Sequence, residues 1–310
     1  EKVAARLLNH FIDVIPYLRT RFVRSDEVGE AILKHFEDVI VPTAVPPASH
    51  EKDLFNKSLT GADASSGAWR RIPNTLKDSV SYHQLIEKSG ASAIGKAVAN
   101  VDIKAARVLA WLLCLVTDER VSSYADEEGS GGFRKIIEVP ESRSTLYCAL
   151  TSFGFGLDDR ILPLWLAWEQ QKDGGFLLAF APMEKFPLRG HVKTMGAMIQ
   201  QHAGATKAVV GTMQGCYRII PLAENVCQVT LVMQATLGGQ IPIALLNLRV
   251  LSTLSLVKLI QSKYERGGKT VDTEMRAAFP RIPFISQVSN TIYRQELNVG
   301  KDRIFHVATY

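Results

Sequence analysis

Apolar and polar residues alternate along residues 226–237. Cys227, Val229, Leu231, Met233, Ala235 and Leu237 fall on one parity, and Gln228, Thr230, Gln234 and Thr236 on the other. A period of two marks a half-buried antiparallel strand. The segment before it, residues 206–222, is strand-like as well. Gly238-Gly239 breaks the pattern, and Pro242 suits the first turn of a helix, where its missing N–H costs nothing. From there the period changes. Ile243, Leu246, Val250, Leu254 and Val257 recur at helical spacing, Leu248, Leu251 and Leu259 widen the stripe, and Gly267 supplies a closing residue near Arg266. The spacing predicts a helix over 242–266, roughly 35–38 Å long at 1.5 Å per residue. A helix so long and apolar must lie along something equally long, such as a curved sheet.

Upstream, the same reading predicts strands over 93–101, 133–139, 144–153, 161–170 and 176–181, with Gly174-Gly175 as a hairpin turn. Residues 103–116 read as a helix with Ala106, Leu109, Ala110, Leu113 and Val116 facing inward. Two amphipathic helices fill residues 1–41, one carrying Leu7, Leu8 and Phe11, the other Ile32, Leu33 and Phe36. Pro42, Pro46 and Pro47 then open a linker, residues 51–60 make one short helix, and residues 61–67 are a loop of small and polar residues. Residues 78–88 read as a short helix or an extended lead-in, and 182–205 as a long loop. Strands joined by hairpins, with helices at either end, give an α+β fold: one antiparallel sheet curling around the C-terminal helix. The chain divides into a helical extension and linker (1–66), a compact domain (67–268) and a tail (269–310).

The order of strand, Ile220-Pro221-Leu222, strand, then TLGGQIPIALLN over 236–247 leading into the helix resembles the end of a START domain. That is the lipid-transfer module related to the steroidogenic acute regulatory protein. Trp69-Arg70-Arg71-Ile72 near the start and the step from Asp159-Arg160 into a strand fit the same layout. The resemblance covers about residues 68–268. It implies a helix-grip fold, a ligand pocket closed by the C-terminal helix, and a lid in the long loop. Sterol-binding members often bury an arginine and an acidic residue in central strands. Counted from Arg160, those positions fall on Leu166 and near Tyr147 or Cys148. A cavity so lined lacks a charged anchor and suits a largely apolar ligand, because burying an unpaired charge is costly.

Composition narrows the function from another side. The chain has 310 residues, 46% of them hydrophobic and 22% charged, enough for a large core and too few charges for wholesale disorder. The net charge is +5, spread along the chain, which permits contact with an anionic membrane without demanding nucleic acid. Cys114, Cys148, Cys216 and Cys227 form no CxxC and read as buried free thiols. The chain opens Glu-Lys and reads as part of a longer protein or a processed form, with a cytoplasmic or membrane-peripheral location and the possibility of further domains. Catalytic motifs are absent: no GxSxG, no phosphate-binding Gly-Lys-Ser/Thr loop, no HExxH. Gly154-Phe155-Gly156 opens no helix, and the seven histidines are scattered. No metal, cofactor or catalytic residue is expected, and the partners expected are an apolar small molecule and, transiently, a membrane surface.

The candidate ligand lining comes from the inward parity of each strand: Leu146, Cys148 and Leu150; Leu164 and Leu166; Phe176, Leu178 and Phe180; Val209, Gly211 and Met213; Leu231 and Met233. The helix adds Leu246, Val250, Leu254 and Val257. Any one of these is equally well ordinary core, because pockets and cores share a composition. Gly211 marks a bend or a close approach of ligand. In the long loop Phe186, Leu188, Met195, Met198 and Ile199 stand beside Lys185, Arg189, His191 and Lys193, which suits a lid touching an anionic membrane. Two other readings share the fold: a regulatory or scaffold domain without a transported ligand, and a polyketide-cyclase type of enzyme, for which Tyr147, Tyr217 and Thr212 are the modest polar candidates.

Overall fold

The computed structural model describes residues 46–64, 69–72, 80–85, 93–113, 134–138, 142–151, 158–206, 208–236, 238 and 254–267, with isolated positions 34, 38, 44, 270, 273 and 274. The two helices expected in residues 1–41 fall almost wholly outside these, as do Cys114, most of the tail and the first half of the expected C-terminal helix. In chain order the elements are α1 (Ser49–Ala64), β1 (Arg70–Arg71), β2 (Ser81–Leu85), β3 (Ala93–Val101), α2 (Ala105–Leu113), β4 (Arg134–Glu138), β5 (Ser144–Thr151), β6 (Arg160–Gln170) and β7 (Phe176–Pro182). A 3-10 turn (Met183–Lys185), α3 (Arg189–Thr206), β8 (Val209–Val210), β9 (Thr212–Ala223), β10 (Val226–Thr236) and α4 (Leu256–Lys263) follow.

The strands form one open, curved antiparallel sheet in the order β1-β2-β3-β10-β9-β7-β6-β5-β4, with the two-residue β8 pairing β6 in parallel. Hairpins explain most of the neighbours. Gly174 turns β6 into β7 at φ 80°, and the Asp173 carboxylate accepts the Gly175 N–H at 2.9 Å. Chain segments far apart in sequence meet at the centre, where β10 pairs β3 from Cys227↔Val101 to Ala235↔Ala93.

One face of the sheet, the inner face, holds α2 and α4; the other, the outer face, holds α1 and α3. This is the α+β helix-grip arrangement, a curved sheet closed over by the C-terminal helix. Alternation divides each strand cleanly. A row of side chains, Tyr82–Ala97–Leu231–Tyr217–Leu178–Trp168, crosses six strands on the inner face. Behind it the row Lys96–Val232–Cys216–Ala179–Ala167–Ser144 crosses the outer face.

The small residues of that outer row let a helix lie close. α1 rests there, burying Leu54 and Phe55 with Ala167, Ala179, Ala181 and Cys216. Burying a phenylalanine contributes about 1.5–3 kcal/mol. The docking is fixed by a buried carboxylate. Glu51 reaches back to accept the Ala48 N–H at 2.8 Å, and its other oxygen accepts from Ser142 Oγ at 3.0 Å, Arg143 N at 3.0 Å and Ser144 Oγ at 2.6 Å. Ser144 Oγ in turn accepts the Trp165 indole N–H at 2.9 Å. Every acceptor position used is matched by a donor, as a buried charge requires. The helix expected at 51–60 therefore begins earlier, ends later, and belongs to the sheet's packing.

Candidate functional site

The inner face carries the larger of the two apolar clusters. α4 packs on β3 and β10, and α2 on β7, β9 and β10. At that end the packing is tight: Ala97, Val101, Val108, Leu109, Cys227, Val229, Val257 and Ile260 are all 0% exposed. Toward β5 and β6 it loosens. Tyr147, Ala149, Leu164, Leu166, Trp168 and Tyr217 keep 5–8% of their surface open to solvent while belonging to the same buried cluster. Met213, Ala235 and Ile136 are only partly buried against it.

The chemistry of this surface is almost wholly apolar. Among its described buried residues the polar side-chain atoms are the hydroxyls of Tyr82, Tyr147 and Tyr217, the indole N–H groups of Trp111 and Trp168, and the Cys227 thiol. The one charged side chain buried with inner parity among the described residues is Arg160, at the first position of β6, where its guanidinium donates to the Asp158 carbonyl. Arg143 stands at the opposite end of the face, its guanidinium 4.8 Å over the Trp168 ring. Leu166 sits in the middle, at the position the register reserved for an arginine.

The sequence-derived lining divides into three groups. Leu164, Leu166, Phe176, Leu178, Phe180, Leu231, Met233, Leu254 and Val257 are on the inner face, with Met213 packed at its margin. Leu246 and Val250 lie outside the described residues. Leu146, Cys148 and Leu150 are on the outer face, beneath α3. The register shows why: Tyr147↔Leu164 and Ala149↔Leu162 put the odd residues of β5 inward, and both parities of that strand are apolar, so alternation alone gave no choice. Val209 is half-buried in β8 and joins neither cluster. Gly211 is not mid-strand. It separates β8 from β9 and donates its N–H to Ile161 O at 3.0 Å, where the chain leaves β6 to cross to β10.

The glycine that admits a close approach is Gly215. A Cβ there would come within 2.1 Å of Val232 O and 2.9 Å of the Phe180 ring. The missing side chain lets Phe180 lie across β9 on the inner face, 6.1 Å from the Tyr217 ring.

The long loop also differs from expectation. Residues 189–206 are a helix, because Val192, Met195 and Ile199 recur at helical spacing. Phe186, Met195 and Ile199 are buried on the outer face, and Leu188 and Met198 are exposed. Phe186 packs on Trp165 at 5.3 Å between ring centroids. This segment packs on the outer face, opposite the apolar cluster of the inner face, so it does not cover that cluster as a lid.

Cys148, Cys216 and Cys227 are buried free thiols. Burial pushes the Cys148 thiol up to about 11 and the Cys227 thiol up to about 12. Among the described residues no group of three or more His, Cys, Asp or Glu side chains could hold a metal ion, and no helix is long and apolar enough to cross a membrane. Sequence reasoning missed the Glu51 network. Its only signal was the spacing of Ala48 to Glu51, half of a capping box.

The chain is similar to START domains of known structure. The lipid transfer and protein localization domain of human StarD13 (DLC2) matches at 14% identity, over 69% of this chain and 98% of that one, with a TM-score of 0.48. A STAR-related lipid transfer protein from Xanthomonas axonopodis matches at 15% identity over 64% of this chain and 99% of that one, TM-score 0.48. Human STARD10 matches at 14% identity over 82% and 88%, TM-score 0.45. No protein-family model matches the chain, and no curated protein matches its sequence.

Proposed function

We propose that this START-like domain binds an apolar ligand, a lipid or sterol-like molecule, between the inner face of the sheet and the C-terminal helix, and carries it without making or breaking a bond. The observation that supports this most is the gradient of packing on the inner face. Residues under α2 and α4 such as Val108, Leu109, Val257 and Ile260 are fully buried, while Tyr147, Ala149, Leu164, Leu166 and Trp168 at β5–β6 keep a little accessible surface, which supports a ligand space there. The lining sets the ligand class. Each Å² of apolar ligand surface taken from water contributes roughly 25 cal/mol, and among the described residues no charged group stands in the middle of the face to hold a headgroup. Loading and release need a membrane, and exposed Val210, in β8 beside Ile161, offers an apolar point on the surface for that contact.

Native mass spectrometry of the detergent-free protein, followed by solvent extraction, tests the reading. A stoichiometric lipid is expected. Ala149→Phe is expected to keep the fold, fill the space and reduce lipid uptake at least tenfold, a change of about 1.4 kcal/mol. An empty protein that also ignores sterols, fatty acids and phospholipids would overturn the proposal and leave a scaffold domain. Unchanged uptake in a folded Ala149→Phe variant would move the ligand off this face.

A further inference from the structure

The free edge of the sheet opposite β4 carries a different surface. Its last strand is two residues long, Arg70–Arg71, and it pairs β2 with Arg71↔His83. β2 pairs β3 with His83↔Lys96. Arg71, His83 and Lys96 therefore stand side by side on three consecutive strands, at the end of the outer-face row that continues through Val232 and Cys216. Directly opposed residues on neighbouring strands have Cβ atoms roughly 4.5–5.5 Å apart, and like charges so placed destabilise a sheet. The described helices of the outer face pack elsewhere, α1 on β6, β7 and β9 and α3 on β4 and β5. Among the described residues no carboxylate pairs with any of the three cations. Burial first, then Lys96 from β3 and Arg71 from β1, the charged groups facing His83 among the described residues, hold its imidazole below the ordinary value of 6.5.

A second observation is independent of charge. His83 Nδ1 and Trp69 Nε1 are both buried without a hydrogen-bond partner. Trp69 is two residues before Arg71, so in an extended edge strand the two share a side. A buried polar atom left unpaired is costly, and two of them beside a cationic row describe a site shaped for a missing acceptor.

We infer that Arg71, His83, Lys96 and the Trp69 indole N–H form a binding site for a phosphate-type anion on the outer face at the β1–β3 edge. Phosphoryl oxygens accept from the guanidinium fork, the ammonium, the indole N–H and the protonated imidazole together, which satisfies both orphaned nitrogens and neutralises the row. The shared chemistry has two sources, a soluble phosphate or a phospholipid headgroup. The site is on the opposite face from the apolar space, so its occupancy does not depend on a lipid bound there.

The test uses the whole chain labelled at its histidine rings and followed by NMR. Inorganic phosphate is titrated against chloride of equal ionic strength, and separately phosphatidylcholine vesicles are added with and without phosphatidic acid. A saturable shift of the His83 ring resonances is expected, with its titration midpoint moved upward by the bound anion. The double variant Arg71→Gln/Lys96→Gln is expected to weaken binding roughly tenfold or more while unfolding at the same or a higher denaturant concentration. A response to free phosphate assigns a soluble anion, and a response only to vesicles with phosphatidic acid assigns a headgroup. No saturable response from either probe, or one unchanged in the double variant, overturns the site.

Discussion

On the outer face, β6 and β7 present Ala167, Ala179 and Ala181 to α1. On the inner face the same two strands present Trp168, Phe176, Leu178 and Phe180. Small side chains let α1 lie against the backbone, and a buried polar network fixes where it lies. The inner face instead presents large side chains, and α2 and α4 pack chiefly on β3, β7, β9 and β10. The polar contacts of α4 are at its end of the sheet, with Gln261 Nε2 donating to Asn100 O at 2.8 Å and Arg266 N to Asp102 at 2.9 Å. One sheet thus carries a side of small residues fixed by a polar network and a side of large apolar residues. The difference follows from residue size and from where hydrogen bonds are spent.

The comparison breaks most severely at Glu51. Glu51→Ala leaves Ser142 Oγ, Arg143 N, Ser144 Oγ and Ala48 N without their acceptor. A loss of about 4 kcal/mol is expected, since each stranded donor costs about 1–3 kcal/mol and water re-enters to satisfy some. Urea unfolding measures the loss, and hydrogen exchange locates it: amides of 49–64 should exchange first while β3 and β10 stay protected. Uniform loss of protection would show that the network holds the whole sheet and not α1. On the inner face the corresponding break is Gly215→Ala. The new Cβ would meet Val232 O at 2.1 Å, so β9 and β10 must separate locally, at a cost of about 2–3 kcal/mol. A change under about 0.5 kcal/mol, the scale of an ordinary surface substitution, would show that the two strands yield freely there.

Sequence reasoning reached the inner face more surely than the outer. β10 was legible because its polar residues, Gln228, Thr230 and Gln234, all point outward, and the paired glycines after it stop the strand, Gly238 adopting φ 68°. β5 was legible as a strand but not in its facing, since Leu146, Cys148 and Leu150 are as apolar as Tyr147 and Ala149. α3 was hidden by its glycines and by Pro187 just before it, which read as loop, although Met195 and Ile199 already carried the helical period. β2 was ambiguous because Ser81, His83 and Gln84 lack strong strand preference. Its pairing with β3 decides it. The Glu51 network was out of reach: Ser142 and Ser144 are more than ninety positions from Glu51, |i−j| 91 and 93, and only the folded sheet brings them together. The inner lining was readable as apolar, but which apolar residues border space is a property of packing.

The gentlest probe of the comparison leaves the protein untouched at neutral pH. Cys148 is on the outer face and Cys227 on the inner, and burial raises both thiols, from 9.0 to about 11 and to about 12. Cys148 also donates to the Met195 thioether at 3.4 Å, a contact that thiolate formation would abolish. Below the unfolded-state value near 9 both thiols are neutral in either state and contribute nothing that changes with pH. Above it the unfolded chain releases protons that the folded chain retains, so stability falls as pH rises. Each thiol removes up to about 1.4 kcal/mol per pH unit until its folded value is reached. Cys148→Ala should flatten the decline between pH 9 and about 11, and Cys227→Ala should flatten it further, to about 12. The order of the two variants is the informative part. Cys227 is under the tightly packed end of the inner face, so if its variant flattens the decline less than the Cys148 variant, solvent reaches the inner face beyond β5 and β6, and the closed end is more open than its side chains indicate.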